Sequence, residues 1–358
     1  MEQLIPHSAF AAMPWPMLLL LLVGSIYYLM LGADWLVEGA AGLAGQLGMS
    51  KVIIGATIVS LGTTSPEAAV SVMAAWEGKA GLALGNAVGS IIADTGLIFG
   101  LGCVLMVLPA DRFVLRRQGW VDISAAMLLA VVCYSVFAMH GDHAVLGRWV
   151  GYLFLALLAA YMLMSVRWSR QHSQNEPFDQ SERQVGDRVK EKSKAALSGL
   201  ILIGVVLVVF SSRFVIGSVE QLAGYWGVPR VVIAATLVAF GTSLPELIVG
   251  ITALRRGHPE LLVGNVIGAD ILNVLFVVGA SALAAELPIV DLDAGIPRIF
   301  LYLHLPTMVL IIGLFLFYIL RSSKRGHFQR WYGVPLLVLY FTFVIISWIA
   351  GMAEGGSG

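Results

Sequence analysis

Glu67 and Glu246 each follow a proline inside an otherwise apolar run: Gly62-Thr63-Thr64-Ser65-Pro66-Glu67 and Gly241-Thr242-Ser243-Leu244-Pro245-Glu246. On a helix, Thr63 and Thr64 share a face with Glu67, because residues three and four apart are neighbours. Pro66 lacks an N–H and its ring crowds the carbonyl four residues back, so the Gly62 carbonyl loses its helical partner. A freed carbonyl, two hydroxyls and a carboxylate are all oxygen donors. Hard cations want such a set: Ca2+ takes roughly six to eight oxygens, and Na+ fewer of the same kind. Gly241, Thr242, Ser243 and Glu246 offer the same donors again. The apolar run after each motif adds Ser90 and Asp94 in one case, and Ala269 and Asn273 in the other. The combined candidate site carries three formal negatives, Glu67, Glu246 and Asp94, around one divalent ion.

The two motifs belong to a longer duplication. Residues 55–102 and 234–281 align without a gap at an offset of 179, with about a third of positions identical. Taken singly, a proline in an apolar helix is usually a kink, and a threonine usually bonds back to its own helix. A kink does not require a buried glutamate, and the duplication places one after both prolines. Asn86 and Asn265 follow glycines in GNAVG and GNVIG, where the small-residue spacing suggests close helix packing; the asparagines either cap broken backbone or line the site. Asp34 and Arg213 also lie 179 apart and are expected to pair with loops, water or each other. Glu38, Glu220 and Asp122 lie close enough to span ends to be solvated. Asp270 either extends the ion path or lies off it.

These residues must be positioned by elements that tolerate an apolar solvent. The chain has 358 residues, 58% hydrophobic and 12% charged, about half the charged fraction of a soluble protein, roughly 25%. Several apolar stretches exceed the ~20 residues that cross a bilayer as a helix. The expected fold is an all-α polytopic membrane protein with ten transmembrane helices, at about 14–46, 51–76, 81–108, 119–139, 145–167, 195–224, 229–255, 260–286, 298–320 and 330–351. A barrel would show short alternating segments instead. Cys103 and Cys133 both fall in expected spans, so neither a disulfide framework nor a CxxC metal pattern is indicated. Aromatic residues near span ends (Trp15, Tyr27, Tyr28, Trp76, Trp120, Trp149, Trp168, Tyr332) read as interfacial anchors.

Placing the N-terminus outside puts 17 Lys and Arg in cytoplasmic segments and 4 in outer ones, with Arg213 inside a span. That bias fits the positive-inside rule. It predicts a multi-pass protein of the plasma (inner) membrane with both termini outside or periplasmic and the central loop cytoplasmic. Residues 168–194 form that loop, a charged linker with little expected fixed structure. It divides residues 1–167, with the first repeat, from residues 195–358, with the second. Five helices is an odd number, so the second half enters from the opposite side: two inverted five-helix repeats, as in many secondary transporters.

The paired blocks GTTSPE…GNAVGSIIAD and GTSLPE…GNVIGADILN resemble the alpha-repeats of the cation/calcium antiporter superfamily, which includes sodium/calcium exchangers. The resemblance covers nearly the whole chain. It implies an ion site between the second and third and the seventh and eighth helices, past which the first and sixth helices slide. By motif position that site comprises Thr63, Thr64, Glu67, Ser90 and Asp94 with Thr242, Ser243, Glu246, Ala269 and Asn273. Serine is more usual where Ala269 stands, so one oxygen is missing from the second half. Family members differ in coupling ion partly at such positions.

The expected function is therefore secondary antiport of Ca2+ for Na+ by alternating access, and not enzymatic; the alternative is an H+-coupled or K+-dependent exchanger using the same site. Protonation of Glu67 or Glu246 would compete with Ca2+. The expected partners are Ca2+, Na+ or H+ and the lipid bilayer. No cofactor, nucleic acid or protein partner is indicated. An intramembrane aspartyl protease using Asp94 and Asp270 is disfavoured, because the two acids occupy non-equivalent repeat positions and no Gly-x-Gly-Asp or Tyr-Asp pair is present. A passive channel would show single-channel currents without a counter-ion.

Overall fold

A computed structural model describes residues 10, 13–47, 49–78, 80–175, 192–226, 243–290 and 299–355. Helices dominate. Those used below are α1 (Trp15–Leu47), α2 (51–76), α3 (80–105), α4 (Arg112–His140), α5 (Arg148–Asn175), α6 (Lys194–Tyr225), α7 (Leu244–Arg255), α8 (259–284), α9 (300–322) and α10 (Gly333–Gly355). Among the described residues, eight helices are long and apolar enough to cross a membrane. α2, diluted by its Gly-Thr-Thr-Ser-Pro-Glu run, and α7, of which twelve residues are described, are not among them. Residues 229–242, the first part of the expected seventh span, lie outside the described residues.

α5 runs on to Asn175, past the expected boundary at residue 167. The first eight residues of the expected linker, 168–175, are therefore helical, because no proline or glycine interrupts the chain before Pro177.

The centre of the bundle is α8, buried along 94% of its span, with α3 beside it at 72%. α1, α5, α6 and α10 form the periphery, each with 28% of its span buried. They present large apolar side chains such as Leu20, Leu163, Leu202 and Ile345 outwards. So extended an apolar surface marks contact with lipid. α1 and α6 cross closely through glycine: a Cβ built on Gly204 would lie 2.7 Å from the Leu36 nitrogen, and one on Gly32 2.6 Å from the Leu207 Cβ. Close backbone approach at small residues is how apolar helices gain packing energy in lipid.

The duplication is visible residue by residue. α3 changes from α to π geometry at Asp94–Phe99 and α8 at Asn273–Val278, the same positions of the two repeats. Each returns to α-helix for six residues and leaves it in extended backbone, at Met106 (φ −144°) and Ala285 (φ −150°). The turns before α3 and α8 use Gly78 (φ 75°) and Gly257 (φ 74°), a left-handed conformation that glycine adopts without a Cβ clash. The connections match as well. The Ala110 N–H donates to the Gly326 carbonyl at 2.9 Å, while the Ile289 N–H donates to the Ala144 carbonyl at 2.9 Å. The loop after α3 thus pairs with the loop before α10, and the loop after α8 with the loop before α5, where β1 (Val145–Leu146) and β2 (Leu287–Pro288) form a short antiparallel ladder.

Several expectations are corrected. Tyr332 is fully buried and stacks on Tyr318 with centroids 4.1 Å apart, so it is a packing residue and not an anchor. Trp15, Tyr27, Tyr28, Trp76, Trp120 and Trp149 are exposed as an interfacial belt requires. Asp122 was expected to be solvated near a span end; α4 starts earlier, at Arg112, which places Asp122 inside the helix, where it is 2% exposed. Cys103 and Cys133 are buried free thiols.

Candidate ion-binding site

Each described candidate donor lies on a central helix or, for Ser243, at the start of one. α2 carries Thr63, Thr64 and Glu67, and all three are buried. α3 carries Ser90 and Asp94, one turn apart and buried. α7 begins after Ser243 and carries Glu246 in its first turn, while α8 carries Asn273, with Ala269 one turn earlier. Gly241 and Thr242 lie outside the described residues. The two proline motifs are not mirror copies among the described residues: Pro66 sits inside the continuous α2, whereas Pro245 stands at the start of α7, after Ser243 (φ −89°, ψ 8°).

The two repeats meet at these residues. The Thr64 hydroxyl lies 3.4 Å from Glu246 Oε1 as a donor, and the Thr63 hydroxyl 3.4 Å from Asn265 Oδ1. Asn273 Nδ2 donates to Asp94 Oδ2 at 3.5 Å. Ser243 is within hydrogen-bonding reach of Asp94. Glu67 lies within electrostatic range of both Glu246 and Asp94, and Arg213 of α6 opposes that repulsion.

Five fully buried oxygens of this group have no hydrogen-bond partner: both of Glu67, Asp94 Oδ1, Glu246 Oε2 and Asn273 Oδ1. Buried polar atoms in folded proteins are almost always satisfied, and an unpaired buried carboxylate is costlier still. A cation with an all-oxygen shell answers that deficit, so the donor set fits a hard cation as cargo. Among the described residues, no three His, Cys, Asp or Glu side chains converge closely enough to hold a metal by themselves. The set is mixed, and the amide and hydroxyl oxygens are part of it.

The remaining candidates separate from this group. Gly62 packs on Val205 of α6, where a Cβ would lie 2.5 Å from the valine methyl. Asn86 ties α3 to α2 through Ser71 at 3.0 Å, and Asn265 ties α8 to α2 through Thr63. Asn86 thus joins two helices of the first repeat, whereas Asn265 joins the second repeat to the first. The small-residue packing holds for the second copy: a Cβ on Gly264 would lie 2.1 Å from the Val52 carbonyl, and one on Gly268 2.4 Å from that of Ala56. Residues 231 and 235, which match Val52 and Ala56 in the repeat, lie outside the described residues. Asp34 pairs with Arg256 at 2.9 Å and Glu38 with Lys192 at 2.6 Å, all partly exposed. Asp34 therefore meets a loop and not Arg213. The Glu220 side chain is outside the described set. At the turn before α8, burial and then the charges of Lys51 and Arg256 push the His258 imidazole down to about 4.

Sequence reasoning left Thr95 aside. Its hydroxyl donates to Asp270 Oδ2 in a short contact. No local signal marks it, because Thr95 and Asp270 lie 175 residues apart.

The chain is similar to known proteins over most of its length. The profile of the sodium/calcium exchanger protein family matches residues 17–167 and 196–349. A sodium/calcium exchanger from Methanosarcina acetivorans is 29% identical over 357 residues, covering 92% of this chain and 97% of that protein. An inner membrane protein from Escherichia coli is 34% identical over 272 residues, covering 74% of this chain and 78% of its own. The solved sodium/calcium exchanger from Methanococcus jannaschii shares the fold with a TM-score of 0.75 at 24% identity, over 93% of this chain and 99% of that one.

Proposed function

Since the chain belongs to the sodium/calcium exchanger family, we propose that it is an antiporter that carries Ca2+ across a membrane in exchange for Na+. The observation that carries this reading is the set of unpartnered buried oxygens on Glu67, Asp94, Glu246 and Asn273, drawn from both repeats. Glu67 and Glu246 act as the principal cation ligands, with Asp94, Asn273, Thr63, Thr64, Thr242, Ser243, Ser90 and the Gly62 and Gly241 carbonyls as the remaining candidates. Ten spans in two inverted five-helix halves, 1–167 and 195–358, place this site near mid-membrane. The matching π segments and the paired loop contacts support that symmetry.

Coupling follows from solvation. Carboxylates without a cation are expensive to enclose away from water, so the site closes only when Ca2+ or several Na+ fill it. Closed, filled states can then reorient by rocking of the two halves around a fixed site. Exchange results instead of leak. Protons would also satisfy the unpartnered oxygens, which keeps H+ coupling as the second reading; a K+-dependent exchanger would use the same shell.

Purified protein in proteoliposomes separates the readings. Ca2+ uptake driven by an outward Na+ gradient, and not by a pH gradient, is the expected result. Uptake driven by the pH gradient alone would replace Na+ by H+ in the cycle.

A further inference from the structure

One end of the bundle carries a concentrated positive surface that the cation site does not use. Residues 106–117 and 321–332 hold seven arginines and lysines and one acid, Asp111, whose Oδ1 accepts the Phe113 N–H at 2.8 Å. These two segments are far apart in the chain and joined in space. The Ala110 N–H donates to the Gly326 carbonyl at 2.9 Å, and the Phe328 N–H to the Leu108 carbonyl at 2.8 Å. Arg330 Nη2 reaches the Leu105 carbonyl, 225 residues away, at 3.4 Å. Beyond this staple α4 packs on α9, where a Cβ on Gly119 would lie 2.8 Å from Ile319 Cδ1. Arg112 and Arg116 of α4 therefore lie level with Arg321, Lys324 and Arg325 at the end of α9. All five are exposed, and none forms an ion pair among the described residues. Arg117 is committed instead, stacked over the Phe113 ring at 3.7 Å.

The fold does not require these charges. The segments in the corresponding places at the opposite end, 139–150 and 285–296, hold four acids and one arginine, and their described parts join in the same way. Like charges gathered on joined loops repel. Arg112 also opens α4, and that end of a helix favours anions over cations. A bound anion relieves both costs. The positive-inside bias decides on which side of a membrane cations lie, and does not require them to be stapled into one surface. Apolar groups edge the patch: Trp120, Trp331 and Leu105 are 51%, 55% and 53% exposed. Tryptophan favours the depth of lipid head groups, and basic clusters beside spans attract anionic lipid. We propose that Arg112, Arg116, Arg321, Lys324 and Arg325 bind the phosphate of an anionic phospholipid, whose acyl chains lie against the neighbouring apolar groups.

This inference goes beyond the exchange reading and does not rest on it, because lipid binding is measured without transport. Native mass spectrometry of the full-length protein, titrated in detergent with dioleoyl phosphatidylglycerol or dioleoyl phosphatidylcholine, tests it. Wild type is expected to retain phosphatidylglycerol at a concentration at least about tenfold lower than phosphatidylcholine, since each basic side chain near an anionic surface strengthens attraction roughly fivefold. The variant Arg112→Gln/Arg116→Gln/Arg321→Gln/Arg325→Gln should lose that preference. The control Arg183→Gln/Arg188→Gln/Lys190→Gln/Lys194→Gln removes the same charge from the central linker and should keep it. Wild type without the preference, a patch variant that keeps it, or a control that loses it equally overturns the proposal. So does displacement of the lipid by millimolar inorganic phosphate, because a free anion would then suffice. Should the patch variant fail to fold, a photoreactive phosphatidylglycerol tests the wild-type protein. Adducts within residues 105–120 or 321–331 are expected. Adducts only elsewhere overturn the proposal, as does a carbodiimide cross-link from Lys324 to a linker carboxylate, which would show the chain itself covering the patch.

Discussion

Asn273 donates through Nδ2 to Asp94 Oδ2 at 3.5 Å, although the two residues occupy the same position of two repeats. Each is also the first residue of a π segment in its helix. A π turn inserts one residue and shifts the register of everything beyond it, and such turns gather at functional sites. The duplication therefore brings identical backbone breaks face to face and then fills them with an acid on one side and an amide on the other. The amide hydrogen partly answers the Asp94 charge, which a second carboxylate would repel.

Glu67→Gln and Glu246→Gln keep shape and remove one charge each. Losing an outer-shell partner of a metal site costs about 10–100-fold, so losing a direct carboxylate is expected to cost at least about a hundredfold in Ca2+ uptake. Proteoliposome flux measures it. Near wild-type rates in either variant would remove that residue from the ligand set.

Asn273→Asp adds a carboxylate opposite Asp94. Divalent affinity rises with ligand charge, so the Ca2+ concentration for half-maximal uptake should fall, by roughly tenfold. Acid pH should inhibit the variant more strongly than wild type, because another carboxylate must give up its proton before Ca2+ binds. Initial rates against Ca2+ at two pH values test both effects, and an unchanged half-saturation would place Asn273 outside the shell.

Gly264→Ala places a Cβ 2.1 Å from the Val52 carbonyl, where backbone and not a flexible side chain must yield. Overpacking of this kind costs about 1–3 kcal/mol. A lower thermal unfolding temperature in detergent is expected, together with reduced yield of folded protein.

His258 titrates near 4 in the folded protein, against an ordinary value of 6.5. Its folded form is neutral, so the unfolded chain binds a proton first as pH falls. Stability from this residue is full above the ordinary value and declines as pH drops towards 4. His258→Gln cannot take up that proton and should flatten the fall in unfolding temperature across this window. Equal pH slopes in the two proteins would contradict the assignment.

The sequence alone determined the helical membrane architecture, the exact bounds of the duplicated segments and the burial of Glu67, Glu246, Asp94 and Asn273. Those properties are local. Hydropathy, helical spacing and an offset of 179 residues can be read along a single strand of text. Tertiary structure decided which polar groups meet: Thr64 with Glu246, Asn273 with Asp94, and Thr95 with Asp270. It also moved Asp122 and Tyr332 from the expected boundary into the interior, and turned Asp34 towards Arg256. Whether an acid inside a helix meets water, a cation or another acid depends on the neighbouring helices, and partners more than 170 residues away leave no trace in the local pattern. The repeat therefore fixed the set of candidate donors, while packing across the two halves chose the partners of those described.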